Sequence, residues 1–405
     1  MPSTLPAGDP APSDGGLSAE ALAEVSSNPL SIYVHVPFCR TRCGYCDFNT
    51  YTATELGSGP GASQATYVDA ALTELDLAVR VLGPDVPSVS TIFVGGGTPT
   101  LLPTGDLGRL VAAIEQRFGL TADSEVTTES NPESIDARGL ADLVAAGFNR
   151  ISFGMQSAVP HVLATLDRVH SAGRPQRAVA EAKAAGFASV SLDLIYGTPG
   201  ESITDWATSL DAAMAAEPDH VSAYALIIEE GTRLAAQVRH GVLPMTDDDD
   251  LADKYLLAES FLTQAGMQAY EVSNWARSAD HQCRHNLAYW TGHHWWGIGP
   301  GAHSHIGGVR WWNVKHPAAY AARLVDAVSP AQARETVSVA DRRIERVLLE
   351  LRLADGLDLT VLSRTERLRV PNLVARGLAG VEQDHLRLTV QGRLLADGVV
   401  RDLLD

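Results

Sequence analysis

Cysteine is scarce in this chain of 405 residues: there are four, and Cys39, Cys43 and Cys46 stand within eight positions of one another. Three thiols on one short loop cannot all pair, and the fourth, Cys283, does not complete a disulfide framework. No apolar run approaches the roughly 20 residues that span a bilayer, and the amino terminus has no basic stretch followed by an apolar core. Cytoplasmic residence is the expectation. Basic charge is also short, with 31 Lys and Arg against 49 Asp and Glu, a net charge of −18 and a pI near 5.1. No Lys/Arg stripe is present, so a phosphate-backbone partner is excluded and no nucleic acid is expected. Hydrophobic residues make up 45% of the chain, enough for one large domain and a smaller one.

What is present is concentrated in Ser31–Phe48, SIYVHVPFCRTRCGYCDF. In a reducing compartment, C-x3-C-x2-C on one loop points to metal or cluster ligation. Zinc would need a fourth ligand from elsewhere, whereas three thiolates on a [4Fe-4S] cluster leave one iron open. A structural zinc or incidental thiols remain the plain alternatives. The apolar run Ile32–Val36 reads as a strand, which puts the cysteines at its carboxyl end, where βα loops carry active sites in barrel folds.

Residues 1–28, rich in Pro, Ala, Gly and Ser, read as a disordered leader. Beyond Ser31, β-branched runs alternate with helical patterns, the mark of βα units around a parallel sheet. Strands are predicted at 89–94, 125–130, 150–156, 189–196 and 220–227, with helices at 64–81, 105–118, 134–146, 159–166, 174–185 and 203–215. Six strands give an α/β fold, an open three-quarter β/α barrel over 29–235. The polar signals lie at strand ends: Gly95-Gly96-Gly97-Thr98-Pro99-Thr100 after the second strand, Glu129 and Asn131 at the third, Gln156 at the fourth and Asp193 in the fifth. The glycine turn lets a ligand approach the backbone, and it lacks the Gly-Lys-Ser/Thr of a phosphate loop. Polar groups on otherwise apolar strands are costly to bury without partners, so their convergence implies a polar ligand. The acidic run Asp247–Asp250 opens an apolar helical pattern, 251–262, and reads as a solvated helix start.

C-x3-C-x2-C with Tyr45 before the third cysteine resembles the signature loop of the radical S-adenosylmethionine superfamily. The resemblance implies that Cys39, Cys43 and Cys46 hold a [4Fe-4S] cluster whose open iron binds S-adenosylmethionine. It implies that Gly96, Gly97 and Thr98 hold the methionine amine. By order and spacing Tyr33, Glu129, Gln156, Arg168 and Asp193 match S-adenosylmethionine contacts in the oxygen-independent coproporphyrinogen III oxidase family, and Tyr45 joins that set.

A second concentration lies further on. Seven of thirteen histidines fall at 281, 285, 293, 294, 303, 305 and 316, and six of seven tryptophans at 275, 290, 295, 296, 311 and 312. Aromatic faces with imidazoles suit a flat, iron-containing ring, while the plain reading of any single His is a satisfied core residue. His285-Asn286-Leu287-Ala288-Tyr289-Trp290 resembles the H-N-x-x-Y-W motif of the haem-chaperone branch of that family. Carried over, His285 is the leading haem contact, with Asn286, Tyr289 and Trp290 beside it, and the segment 236–316 is a barrel extension placed over the barrel mouth. Cys283 reads as a passive small hydrophobe.

Two departures separate the chain from the oxidases: Phe48 stands where they carry a further cysteine, and only a short leader precedes Ser31. Residues 317–405, with helices at 319–328, 341–352, 357–367 and 372–377, a strand at 386–390 and a last helix from Gly392, resemble the winged-helix-like carboxyl-terminal domain of the family. The reading is a haem chaperone that transfers haem to an acceptor protein, with membrane respiratory enzymes as the implied acceptor class, an electron donor for the cluster, and a homodimer as the oligomer considered. Coproporphyrinogen oxidase activity is not expected, although the scaffold is retained. The alternatives are a coproporphyrinogen III oxidase, which the complete S-adenosylmethionine set favours, and a zinc-stabilised barrel without catalysis.

Overall fold

In the computed structural model, which describes residues 7–56, 63–168 and 170–405, the six barrel strands sit at the centre of a 13-stranded sheet. In chain order its strands are β1 (Asp9–Pro10), β2 (Leu30–Val36), β3 (Val89–Gly96), β4 (Leu120–Ser130), β5 (Arg150–Gln156), β6 (Ser189–Tyr196), β7 (His220–Ala225), β8 (Gln268–Ala269), β9 (Asn274–Ala276), β10 (His294–Ile298), β11 (His303–Ile306), β12 (Val309–Asn313) and β13 (Ala331–Thr336). Strands β2 to β7 neighbour one another in sequence order, every pair parallel. Parallel neighbours need a crossover, and helices Gln64–Leu82, Thr104–Phe118, Ala137–Ala145, Arg174–Ala185 and Ile203–Met214 supply them. The helices cover one face: Ile32, Val34, Ile92, Val94, Ile151, Phe153, Val190, Leu192 and Val221 are buried in the main core. Because side chains alternate along a strand, the residues between these face the barrel interior, and many are polar.

The barrel is not closed. On the β2 edge, β10 adds in parallel and β11, β12, β13 and β1 continue antiparallel. On the β7 edge, β9 and β8 add antiparallel. The chain between β9 and β10 must therefore cross from one edge to the other. It does so under the amino-terminal ends of the barrel strands, with helix Arg284–Trp290 lying across the floor.

This placement corrects the expectation that the histidine-rich segment lies over the mouth. Its helix Arg284–Trp290 sits opposite the cysteine loop, because β9 and β10 take up the two edges and their connection meets Thr91 and Glu125, near the starts of β3 and β4, whereas the turn after β10 returns to the loop, Pro300 O accepting from Asn49 Nδ2. The leader expectation also changes over 7–28, residues 1–6 lying outside the described chain. Asp9–Pro10 pairs with Ala333 and Arg334, Ser18 caps the helix Ala19–Ala23, Ala21 and Val25 are buried, and Glu24 forms an ion pair with Arg342. Its apolar residues find their partners some 300 positions along the chain, which composition within the segment does not reveal.

Helix Pro317–Val325 packs on helix Gln64–Leu82, and β13 is part of the main sheet. A separate small core, including Val347, Leu357, Leu373, Leu386, Val399 and Leu403, begins only beyond β13. It carries a three-stranded sheet of β14 (Leu357–Asp358), β15 (Ala379–Glu382) and β16 (His385–Leu388), with β16 in the middle. The stretch 357–367 is a strand, a 3-10 turn and the short helix Arg364–Arg367 rather than one helix, because Asp358 caps Thr360 and Ser363 opens a new capping box with Glu366. Asp247 caps the helix Asp248–Gln264, as the acidic run implied. Among the described residues no helix is long and apolar enough to cross a membrane.

Candidate cofactor site in the barrel

The cysteine loop leaves β2 and is clamped from several sides. Gly97 N donates to Val36 O at 2.8 Å, Thr98 N to Phe38 O at 2.8 Å and Cys39 N to Tyr51 O at 2.9 Å. Gly44 N donates to Leu166 O at 3.2 Å, and Leu234 N to Gly44 O at 2.9 Å. The glycines of GGGTPT are there for want of space. A Cβ on Gly97 would stand 2.4 Å from Phe38 O and 3.0 Å from Cys39 Sγ, and one on Gly96, at φ +112°, would stand 2.7 Å from the His35 ring.

The three thiols are free, and together they line the mouth of a cavity of about 850 Å³ that runs down the barrel. Burial pushes the Cys39 thiol up to about 11 and raises Cys46 as well. Arg168 Nη1 lies 3.8 Å from Cys43 Sγ, a cation beside a thiol that ligation would ionise. Among the described residues no three His, Cys, Asp or Glu side chains close on a single ion. Three thiols sharing one cavity mouth are a donor set suited to an iron-sulfur cluster with one open iron.

Every residue expected at the S-adenosylmethionine site lines the same cavity: Tyr33, Tyr45, Gly96, Gly97, Thr98, Glu129, Gln156, Arg168 and Asp193. Glu129 accepts from Gly96 N at 2.9 Å, and Asp193 from Ser152 Oγ at 2.8 Å. Burial, with the charge of Asp193 adding to it, pushes the Glu129 carboxyl up to about 7; burial raises Asp193 too. Two buried carboxyls facing one space favour a ligand that brings positive charge. Arg168 Nη2 donates to Gly154 O at 2.8 Å, whereas its Nε is buried without a partner among the described residues. Gln156 holds a left-handed backbone, φ +62°, at a register shift in β5; its Nε2 donates to Tyr45 Oη at 3.2 Å and its Oε1 has no partner among the described residues. A non-glycine residue in this region costs on the order of 1 kcal/mol or more, and such strain concentrates at ligand sites.

The motif HNLAYW sits at the other end. His285 is 1% exposed and both ring nitrogens are engaged, Nδ1 with Thr91 Oγ1 at 2.7 Å and Nε2 with Tyr289 Oη at 2.9 Å. Its amide donates to Glu125 Oε1 at 3.0 Å, and its ring stacks on Phe93 at 5.2 Å. Burial pushes its pKa down to about 3, so the imidazole is neutral. Asn286 and Tyr289 line the cavity floor; Trp290, at the end of its helix, does not. Cys283 is buried beside Glu125, its thiol pushed up to about 12 by burial.

The histidine and tryptophan concentration resolves mostly into packing. Trp275, Trp296 and Trp312 are buried, Trp296 and Trp311 meet edge to face at 4.8 Å, His294 Nε2 bonds Glu24 O, and His305 Nδ1 bonds His293 O. Most of the aromatic surface on these strands is thus taken up by neighbours, with Trp295, His303 and His305 half-buried.

Sequence reasoning missed the deeper cavity wall: Thr127, Arg150, Ser152, Ser191, His220 and Ser222. The signal was the alternation itself. In RISFGMQ, SVSLDLIY and HVSAYA, the apolar residues face the helices and the intervening ones face inward.

A three-cysteine loop at the mouth of an open parallel β/α barrel is the arrangement of a radical S-adenosylmethionine protein, and residues 33–213 match the profile of the Radical SAM superfamily. The chain is 52% identical to "Heme chaperone HemW" of Mycobacterium tuberculosis over 383 residues, 95% of this chain and 97% of that one. It is 32% identical to "Heme chaperone HemW" of Bacillus subtilis over 386 residues, 91% and 97% of the two chains. The chain belongs to the HemW family of that superfamily. Among solved structures it resembles coproporphyrinogen III oxidase (HemN) from Escherichia coli, TM-score 0.80 over 96% of this chain and 94% of that one. At 24% identity that likeness establishes the fold.

Proposed function

We propose that the protein binds haem and an S-adenosylmethionine-ligated [4Fe-4S] cluster, and that it passes haem to an acceptor protein. The observation that carries the reading is the pairing of near full-length identity to haem chaperones with one cavity that gathers all three cysteines and every expected S-adenosylmethionine contact. Cys39, Cys43 and Cys46 would hold the cluster. Gly96, Gly97 and Thr98 offer close backbone approach, Arg168 offers a cation to a carboxylate, and Glu129 and Asp193 accept from amine or hydroxyl donors and oppose a cationic ligand's charge. Bound there, such a cluster would offer one-electron chemistry at the sulfonium. The protein's part is to fix the ligand's ends and keep water from the barrel.

Haem binding comes from the relatives' name and from the motif. His285 acts as an axial ligand only if Tyr289 or Thr91 is released, because each ring nitrogen already has a partner. We therefore assign His285, with Asn286 and Tyr289, to the barrel floor in the haem-free protein, and make the ligand role a matter of test. Phe48, where the oxidases have a cysteine, is 49% exposed at the cavity mouth and favours haem handling over porphyrin decarboxylation.

Cluster-reconstituted protein under anaerobic conditions separates the readings. With haem, a Soret shift and transfer to an apo-acceptor are expected. With coproporphyrinogen III, S-adenosylmethionine and a reductant, no decarboxylation at enzymatic rates is expected. Decarboxylation would instead establish the oxidase, and a Soret band indifferent to His285→Ala would remove His285 as ligand.

A further inference from the structure

The helix Arg284–Trp290 that carries HNLAYW has two faces, each against a cavity. His285, Asn286 and Tyr289 line the barrel, whereas Arg284, Leu287, Ala288 and Thr291, at i, i+3, i+4 and i+7, line a separate groove on the helix's outer side. The two share no lining residue. The groove, about 320 Å³, is also walled by Leu353 and Asp355, whose loop is pinned where Ala354 N donates to Tyr270 O at 2.9 Å.

His293 sets this groove apart. The helix ends in a Schellman turn, in which Gly292, at φ +66°, donates to Tyr289 O at 3.3 Å and His293 N donates to Ala288 O at 2.9 Å. The His293 carbonyl accepts from His305 Nδ1 at 3.0 Å. Its backbone is thus held on both sides, yet its half-buried ring, which lines the groove, has no hydrogen bond or ion pair among the described residues. The neighbouring histidines are taken: His285 through both ring nitrogens, His294 by Glu24 O and Gly307 N, His305 by His293 O. Burial holds the His293 ring below its ordinary value, so the imidazole is neutral and keeps an open nitrogen lone pair. A neutral, unpartnered imidazole on a fixed backbone is a preorganised iron ligand.

The rest of the groove suits the same ring. Leu287, Ala288 and Leu353 give it an apolar wall. Arg284 is held only by an exposed ion pair with Asp123, which costs little to open toward a ligand carboxylate. Asp355 would turn such carboxylates to the Arg284 side. At the small end of the roughly 300–1,000 Å³ of ligand pockets, the groove takes part of a macrocycle and leaves the rest exposed, as transfer to an acceptor requires.

We infer that haem docks in this groove, on the outer face of the helix, with His293 rather than His285 as its iron ligand and Arg284 toward its propionates. The inference rests on the haem reading above and deepens it, placing the ring outside the barrel, where it does not compete with S-adenosylmethionine for one cavity.

Full-length protein titrated with haemin, read by Soret absorbance and resonance Raman, tests it. Wild type should give a saturable Soret shift with an axial-histidine signature. His293→Ala should weaken binding about tenfold or more and lose that signature, with added imidazole restoring it and the circular dichroism spectrum unchanged. Ala288→Trp, which fills the groove and keeps the ligand, should weaken binding several-fold. Should His293→Ala fail to fold, His293→Met carries the same decision, a thioether-type spectrum being expected. A histidine signature that persists in either His293 variant without added imidazole, or one lost in His285→Ala and kept in His293→Ala, overturns the assignment while leaving the haem reading intact. No saturable shift in wild type defeats the haem reading itself, and this site with it.

Discussion

Glu74 offers a sharp test of the physics that holds the cysteine loop. It is 1% exposed in the middle of helix Gln64–Leu82, and it accepts from Gly299 N at 2.8 Å, Asn313 Nδ2 at 2.7 Å and Tyr320 Oη at 2.5 Å. Those bonds fix the turn GIGPGA, and the next residue of that turn, Pro300, accepts from Asn49 Nδ2 at 2.9 Å. Asn49 is three residues beyond Cys46. Burial outweighs the three donors and pushes the Glu74 carboxyl from 4.5 up to about 7. The folded protein therefore binds more protons than the unfolded chain between those values. The stability this group contributes is fully present below 4.5 and is lost as pH rises to about 7. At 1.36 kcal/mol per unit the loss is about 3 kcal/mol. Glu74→Gln cannot titrate, so the stability difference between the two proteins should change by about that amount across the window in the direction that penalises wild type at high pH. Guanidinium unfolding of the cluster-free proteins from pH 5 to pH 8, followed by tryptophan fluorescence, measures it. Other buried carboxyls such as Glu129 and Glu201 cancel in the difference. Parallel pH curves would refute the argument.

Three further outcomes follow from the same geometry. Cys43→Ser should abolish bound iron while the circular dichroism spectrum and the unfolding midpoint stay near those of wild type, because Cys43 is half-buried and outside the main core; an insoluble variant under conditions where wild type folds would contradict this. Gly97→Ala should lower iron content several-fold, since its Cβ would stand 2.4 Å from a backbone oxygen, whereas Gly398→Ala, with nothing within 4 Å, should be silent in the same assay. Lys254→Met should cost about 3–5 kcal/mol in unfolding free energy, because it leaves the Glu201 carboxyl buried without its cation; a loss under about 1 kcal/mol would show that the pair contributes little.

The parts of the fold that sequence reveals are those whose cause is local. Each barrel strand was readable because its apolar residues sit side by side in the chain, and the cysteine loop because three ligands fit within one turn region. The strand-end carboxyls were readable for the same reason, as polar residues breaking an apolar run. What stayed hidden depends on partners far along the chain. Ala21 and Val25 look like a weakly apolar leader until β13 and Arg342 are placed beside them. His285 looks like an open metal ligand until Thr91, 194 positions earlier, takes one ring nitrogen.

The inward wall of the barrel is the intermediate case, and it bears most on function. In RISFGMQ the period-2 pattern already states that Arg150, Ser152, Gly154 and Gln156 share a face, but a single strand does not say whether that face meets solvent, core or cavity. Only the parallel register answers: Arg150 stands beside Thr127 and Ser189, Ser152 beside Glu129 and Ser191, and Gly154 beside Asp193. The polar positions thereby become successive layers of one interior, with Glu129, Gln156 and Asp193 in its upper layers and Arg150 in a lower one that also holds Tyr33. A protein that only displayed haem on its surface would have no physical need of an open, polar-lined barrel, since apolar side chains filling that volume would stabilise the fold more. The retained cavity is therefore the strongest structural reason to look for a small ligand in this chain alongside haem.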